Sequence, residues 1–146
     1  MIKDFDSLTT RELYEILKLR SEIFVVEQDC PYQDLDDVDY RAFHLFYMEK
    51  SRVIAYLRCF KDENDPAMCH IGRVVTLEHG KGWGGRILKE GIQYCVDVLK
   101  AESIYIEAQC QAQGYYEKYG FRAISDVIMV DGIPHRKMLY TRDTSV

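Results

Sequence analysis

Four glycines fall within six residues at Gly80-Lys81-Gly82-Trp83-Gly84-Gly85. Ahead of them, Val74-Val75-Thr76 is β-branched throughout and suits a strand. Behind them, Leu88, Ile92, Cys95 and Leu99 recur at helical spacing. The stretch therefore reads as strand, glycine turn and helix start. A helix start carries unpaired N–H groups and a partial positive charge, and glycine lets a ligand approach the backbone. Together they make a seat for a phosphate or pyrophosphate. A second set of residues could move protons: Glu27, His44, His70, Glu107 and His135. Each alone is more often an ordinary surface or satisfied group than a catalyst.

The elements around these residues read in order. A short strand near Ile2 to Phe5 precedes a helix that Thr9 or Thr10 can cap, with Glu12 and Glu15 near its positive end. Leu13, Ile16, Leu17, Arg20, Ile23 and Phe24 continue one helical face. Pro31 ends regular structure, and the loop that follows is acidic, with Asp29, Asp34, Asp36, Asp37 and Asp39. Those aspartates either solvate a surface or draw an ammonium group to a site. Their spacing does not match a helix-flanked calcium loop. Residues 43–48 and 53–60 form a hairpin, and 69–77 adds a third strand. A helix over 83–100 connects to a buried strand over 103–108, which should lie parallel to the strand before the glycines. Residues 109–119 read as a short helix capped by Gly120, and two strands, 122–130 and 135–141, meet at Asp131-Gly132.

At 146 residues the chain suits one domain spanning 1–146, and 47% apolar content is ordinary for a globular protein. A net charge of −5 argues against nucleic acid as the main partner. Cys30, Cys59, Cys69, Cys95 and Cys110 are odd in number and match no zinc spacing, so they read as reduced, mostly buried small residues, and no metal is expected. No run is long enough to span a bilayer, no apolar signal stretch opens the chain, and a cytoplasmic setting without membrane contact is expected.

The glycine turn satisfies G-x-G-x-x-G literally, and Glu107 stands near where a dinucleotide fold keeps its ribose acid. Three strands in hairpin order precede the turn, however, and too little chain follows to build a second mononucleotide half. A Walker loop fails because no Ser or Thr follows a Gly-Lys pair. Coenzyme A fits better. Its pyrophosphate suits the helix start, and its pantetheine arm can bond along an exposed strand edge.

Three stretches carry a family resemblance. Val74-Val75 followed by His79-Gly80-Lys81-Gly82-Trp83-Gly84 is one, and Tyr116-Glu117-Lys118-Tyr119-Gly120-Phe121 is another. The third joins Phe24-Val25-Val26-Glu27-Gln28, Cys30-Pro31-Tyr32, Ala108-Gln109 and Asp131-Gly132-Ile133-Pro134-His135. The chain resembles the GCN5-related N-acetyltransferases, and within them the ElaA-type proteins, over nearly its whole length. The resemblance implies an α/β fold of a single domain: a mixed, mostly antiparallel sheet whose central parallel pair splays to hold acetyl-CoA, with helices on both faces. It implies acetyl transfer to a primary amine, on a small molecule or a peptide, by direct attack, with acetyl-CoA as co-substrate. A homodimer through the final hairpin is compatible with it.

The resemblance places cofactor contacts at Val74, Val75, Thr76, His79, Gly80, Lys81, Gly82, Trp83, Gly84 and Gln109, and substrate contacts at Glu27 and His135. His79 stands where Arg or Gln is usual, and Gln109 where Asn is usual. The backbone N–H near Val75 is the expected oxyanion donor. Tyr116 is the expected general acid, a phenol with a pKa of about 10 against a departing thiol; Tyr115 and Tyr119 are its competitors. The alternatives are a non-catalytic coenzyme A-binding module and a dinucleotide-dependent oxidoreductase.

Overall fold

The computed structural model describes residues 1–29, 32–78 and 80–142. Its elements are β1 (Ile2–Asp4), α1 (Thr10–Arg20), β2 (Phe43–Glu49), β3 (Arg52–Lys61), β4 (Met68–Thr76), α2 (Trp83–Asp97), β5 (Ser103–Gln109), α3 (Gln113–Glu117), β6 (Phe121–Ala123), β7 (Ile128–Val130) and β8 (Ile133–Thr141). The strands make one sheet in the order β1-β2-β3-β4-β5-β8-β6, with β7 also on β8. Every pairing is antiparallel except β4 with β5. One parallel contact is not a doubly wound sheet, which removes the topological basis for the dinucleotide reading.

Local chemistry explains the element ends. Thr9 Oγ1 accepts from Glu12 N–H, and Glu12 Oε1 accepts from Thr9 N–H, so α1 opens on a capping box. The expected helical run to Phe24 is not α-helical throughout. It widens into a π-helix over Ser21–Glu27, with Gln28 N–H bonded five residues back to Ile23 O. The wider turn buries Ile23 beneath the sheet and brings Phe24 to the central groove. The β7–β8 turn places Asp131 at φ 51 and Gly132 at φ 78, as a tight hairpin requires. The expected strand over 122–130 is split. Between β6 and β7 the register on β8 slips by two residues, and Ser125 Oγ accepts from Lys137 N–H in place of a backbone group.

Each face of the sheet has its own apolar cluster. Leu57, Ile71 and Ile104 pack under Ile87, Leu88 and Cys95 of α2. Phe46, Tyr56 and Val75 pack under Ile16 and Leu19 of α1. Cys59, Cys69 and Cys95 are free and buried and Cys110 is free, as the sequence suggested; Cys30 lies outside the described residues. Among the described residues no helix is long and apolar enough to cross a membrane, and no three His, Cys, Asp or Glu side chains gather to hold a metal.

The segment from Tyr32 to Asp39 is held by arginines rather than by apolar packing. Arg20, fully buried at the end of α1, bonds Asp34 Oδ2 at 2.9 Å and Asp39 Oδ1 at 2.7 Å. Arg58 of β3 bonds both oxygens of Asp36, at 2.8 and 2.6 Å, and Asp39 at 3.0 Å. Arg73 of β4 bonds Asp34 Oδ1 at 2.7 Å and its carbonyl at 3.0 Å. Three of the loop's aspartates are thus spent on internal cations, an arrangement beside the two that the sequence offers, a solvated surface or an attraction for an ammonium group. Partial burial would raise the Asp36 carboxyl, but Arg58 and Arg73 outweigh it and bring it down to about 2. Burial likewise acts to raise Asp39, and Arg20 and Arg58 reverse that and hold it below its ordinary value.

Two outcomes are expected. Arg20→Met removes the buried cation that Asp34 and Asp39 share, leaving them only Arg73 and Arg58, and should lower stability by about 3 kcal/mol in urea unfolding. Because Asp36 and Asp39 have folded pKa values below the unfolded ones, their stabilisation is whole above about pH 4 and is lost as pH falls towards 2; melting temperatures measured from pH 6 down to 2.5 should fall mainly below pH 4.

Candidate active site

β4 and β5 pair only from Met68 with Ser103 to His70 with Tyr105, and beyond that point they part. The cause lies on the other side of β4. Arg58 faces Gly72 and Tyr56 faces Val75, so Leu57 stands opposite both Arg73 and Val74. That is a β-bulge, which bends the strand and strengthens its twist. Arg73 sits at φ 53, a left-handed conformation that costs a non-glycine residue about 1–2 kcal/mol. Its paired guanidinium, tied to Asp34, holds it there. Beyond the bulge, Leu77 N–H bonds Ile54 O at 2.8 Å. Antiparallel ladders alternate, so Val75 bonds back to β3 while Thr76 turns its N–H and C=O into the gap. The N–H of Val75 itself therefore does not face the splayed edge, and the gap-facing amides are those beside it.

The gap opens into a groove of about 870 Å³. One end meets the start of α2. Gly82 caps that helix at φ 78 with no side-chain bond, and Trp83, Gly84 and Gly85 precede the first helical bond, Arg86 N–H to Gly82 O at 3.2 Å. Their amides are open to an anion. A β-carbon at Gly80 or Gly82 would meet nothing within 4 Å, so these two supply backbone conformation and open space. Gly84 and Gly85 have a different role. A β-carbon at Gly84 would stand 3.1 Å from the Tyr115 hydroxyl, and one at Gly85 would run into the Tyr119 hydroxyl. These glycines exist so that two tyrosines can pack on the helix start.

That packing separates the three tyrosines. Tyr115 and Tyr119 lie against α2, while Tyr116 lines the groove and rests edge-on against Phe121 at 5.9 Å. Burial, with Tyr115 second, raises the Tyr116 phenol above its ordinary pKa, so it is protonated at neutral pH. Burial and the nearby Tyr119 push Tyr115 to about 12; apart from that Tyr119 contact, its buried hydroxyl has no hydrogen-bond partner among the described residues. That hydroxyl lies beside the helix start, and Tyr115 lines the groove together with Tyr116. In the sequence Tyr115 stands only as a competitor of Tyr116, and its spacing to Gly120 gives no hint of its place against the helix start.

The other expected residues divide. Val74, Val75, Thr76, Gly80, Gly82, Trp83, Gly84, Gln109 and His135 all line the groove. His79 lies outside the described residues. Lys81 does not line the groove; its ammonium bonds Glu78 at 2.7 Å. Trp83 also packs on Tyr47, at 5.9 Å between centroids. The Gln109 amide donates to Gln28 at 3.2 Å and accepts from Gln111 at 3.0 Å, which ties the π-helical segment to the end of β5. Glu27 is not among the groove's lining residues. Glu107 lines it and accepts from Tyr105 at 3.0 Å. His44 is buried between Tyr56 (2.6 Å) and the Asp39 carbonyl (3.0 Å), and His70 bonds Asp62 at 2.7 Å and stacks on Phe60. Neither lines the groove, so both leave the set of possible bases.

The family model described as an acetyltransferase (GNAT) domain matches residues 14–142. Protein ElaA of Escherichia coli is 34% identical over 132 residues, covering 88% of this chain and 86% of its own. Its crystal structure superposes with a TM-score of 0.89 over 96% of this chain and 97% of that one, at 30% identity. An acyl-CoA N-acyltransferase from Pseudomonas aeruginosa gives 0.88 at 35% identity, over 97% and 98%. An aminoglycoside 6′-N-acetyltransferase complexed with coenzyme A shares the fold alone, with a TM-score of 0.74 at 13% identity over 97% and 96%. A splayed β4–β5 gap, an uncapped glycine helix start and a groove tyrosine thus occur in a chain that belongs to the GNAT acetyltransferase family and is an ElaA homologue.

Proposed function

We propose that the protein transfers an acetyl group from acetyl-CoA to a primary amine by direct attack. The observation that carries this reading is the convergence of the β4–β5 gap, the start of α2 and Tyr116 on one groove. The first-turn amides of α2 would hold the pyrophosphate, with Tyr115 Oη as a further donor. The outward edge of Thr76 would pair the pantetheine arm like an added strand. The amide of Val74, next to Val75, would meet the oxyanion, and preorganised donors of this kind contribute roughly 10²–10³ in rate. Tyr116 holds a proton at neutral pH and would give it to the departing sulfur. A pure coenzyme A-binding module would not need that donor.

The acceptor half of the groove includes Phe24, Tyr32 and Ile133 beside the carboxylates of Asp36, Glu107 and Asp131, of which Asp36 is already paired with arginine and Glu107 accepts from Tyr105. The apolar walls suit a monoamine on an apolar body, which they would enclose, better than a polyamine, whose chain offers them less apolar surface to bury. Burying one such body contributes about 1.5–3 kcal/mol, or roughly ten- to a hundredfold in affinity.

The test is acetyl transfer to an amine panel, read as free thiol. Tyr116→Phe should lower kcat by about 10²-fold with little change in KM for acetyl-CoA, whereas Tyr119→Phe should retain most of kcat. Phenethylamine should be used at least about tenfold more efficiently than spermidine. An unchanged kcat in Tyr116→Phe contradicts the acid assignment, and a preference for spermidine contradicts the acceptor assignment.

A further inference from the structure

One imidazole in the groove has its tautomer set by the backbone. His135 stands on β8 directly opposite Gln109, at the open end of the gap, and lines the same groove as Tyr116. Its Nδ1 lies 2.7 Å from the carbonyl oxygen of Ile133. A carbonyl only accepts, so Nδ1 carries the hydrogen. In the neutral ring the lone pair is then fixed on Nε2, the nitrogen on the far side of the ring from that carbonyl. His44, by contrast, has both ring nitrogens committed to Tyr56 and Asp39, and His70 has its Nε2 committed to Asp62; neither lines the groove. The titratable groups around His135 are Glu107 on β5, Lys137 further along β8 and Asp131 in the β7–β8 turn; Ile128 of β7, opposite it, and Gln28, which meets Gln109, are neutral.

Resting on the amine-acetylation reading, we propose that Nε2 of His135 takes the proton of the acceptor amine. The amine arrives as an ammonium and gives one proton to Nε2. Its lone pair forms the N–C bond to the acetyl carbon, and the nitrogen loses its second proton as the amide forms. The C–S bond breaks, and the thiolate takes the phenolic proton of Tyr116. One of the two amine protons returns to the Tyr116 oxygen and the other leaves to solvent. The sum is ammonium plus acetyl-CoA giving acetamide, free coenzyme A thiol and one proton.

The experiment compares kcat/KM for an alkylamine between pH 6.5 and 9.5 in the wild type and in His135→Gln, with acetyl-CoA affinity measured by calorimetry on both. His135→Gln should bind acetyl-CoA normally and lose about 10²-fold in kcat/KM at pH 7. The deficit should shrink as pH rises, because more amine is then neutral before it binds. His135→Ala should regain activity on addition of imidazole. A loss of less than about threefold at pH 7, or a deficit constant across pH with no imidazole rescue, overturns the assignment, since a merely structural histidine gives one of those results. Failure of the wild type to bind acetyl-CoA is a different result, and it would remove the parent reading.

Discussion

Everything near the groove depends on keeping three arginines and three aspartates in register. Arg20, Arg58 and Arg73 come from α1, β3 and β4, and Asp34, Asp36 and Asp39 from one loop. Charges this poorly solvated are tolerable only as a matched set, because removing one partner leaves another without water or counter-ion. The cost of breaking the set therefore fixes the loop across the sheet. It also fixes Arg73 in a backbone conformation that arginine would otherwise avoid.

The consequence for chemistry is geometric. The bulge at Arg73 and Val74 bends β4 just where it would have continued alongside β5. The strands separate, and an edge that a sheet would normally cover is left facing a cavity. The start of α2 and the side chain of Tyr116 then look into that cavity from the cluster that packs α2 on the sheet. Rigid packing on one face and a charge lattice on the other hold the opening between them.

Much of this was legible in the sequence, wherever the signal was local. The Thr9–Glu12 capping box, the Asp131-Gly132 turn and the glycine helix start lie within a few residues of the structure that they dictate. The parallel β4–β5 contact followed from the intervening helix. What was hidden depends on partners distant in the chain. Nothing adjacent to Asp34 announces that Arg20 and Arg73, 14 and 39 residues away, pair with it, so the sequence offers a solvated surface or an ammonium lure and not an internal lattice. Gly84 reads as a cofactor glycine and lines the groove, but what excludes a side chain from it and from Gly85 is a tyrosine pair some thirty residues on. Gln109 read as a cofactor contact, and its bond to Gln28, 81 residues earlier, has no local mark. The seven strands read from the pattern became eight, because a two-residue register slip leaves no compositional mark beyond Ser125.

The most direct test is a calorimetric titration of the purified protein with acetyl-CoA, with NADH as the control. The helix start, the Tyr115 hydroxyl and the outward edge of Thr76 predict saturable binding of one acetyl-CoA per chain and no heat from NADH. Binding of NADH, or of neither ligand, would contradict the account: the gap between β4 and β5 would then be a property of the fold and not a seat for the acyl donor.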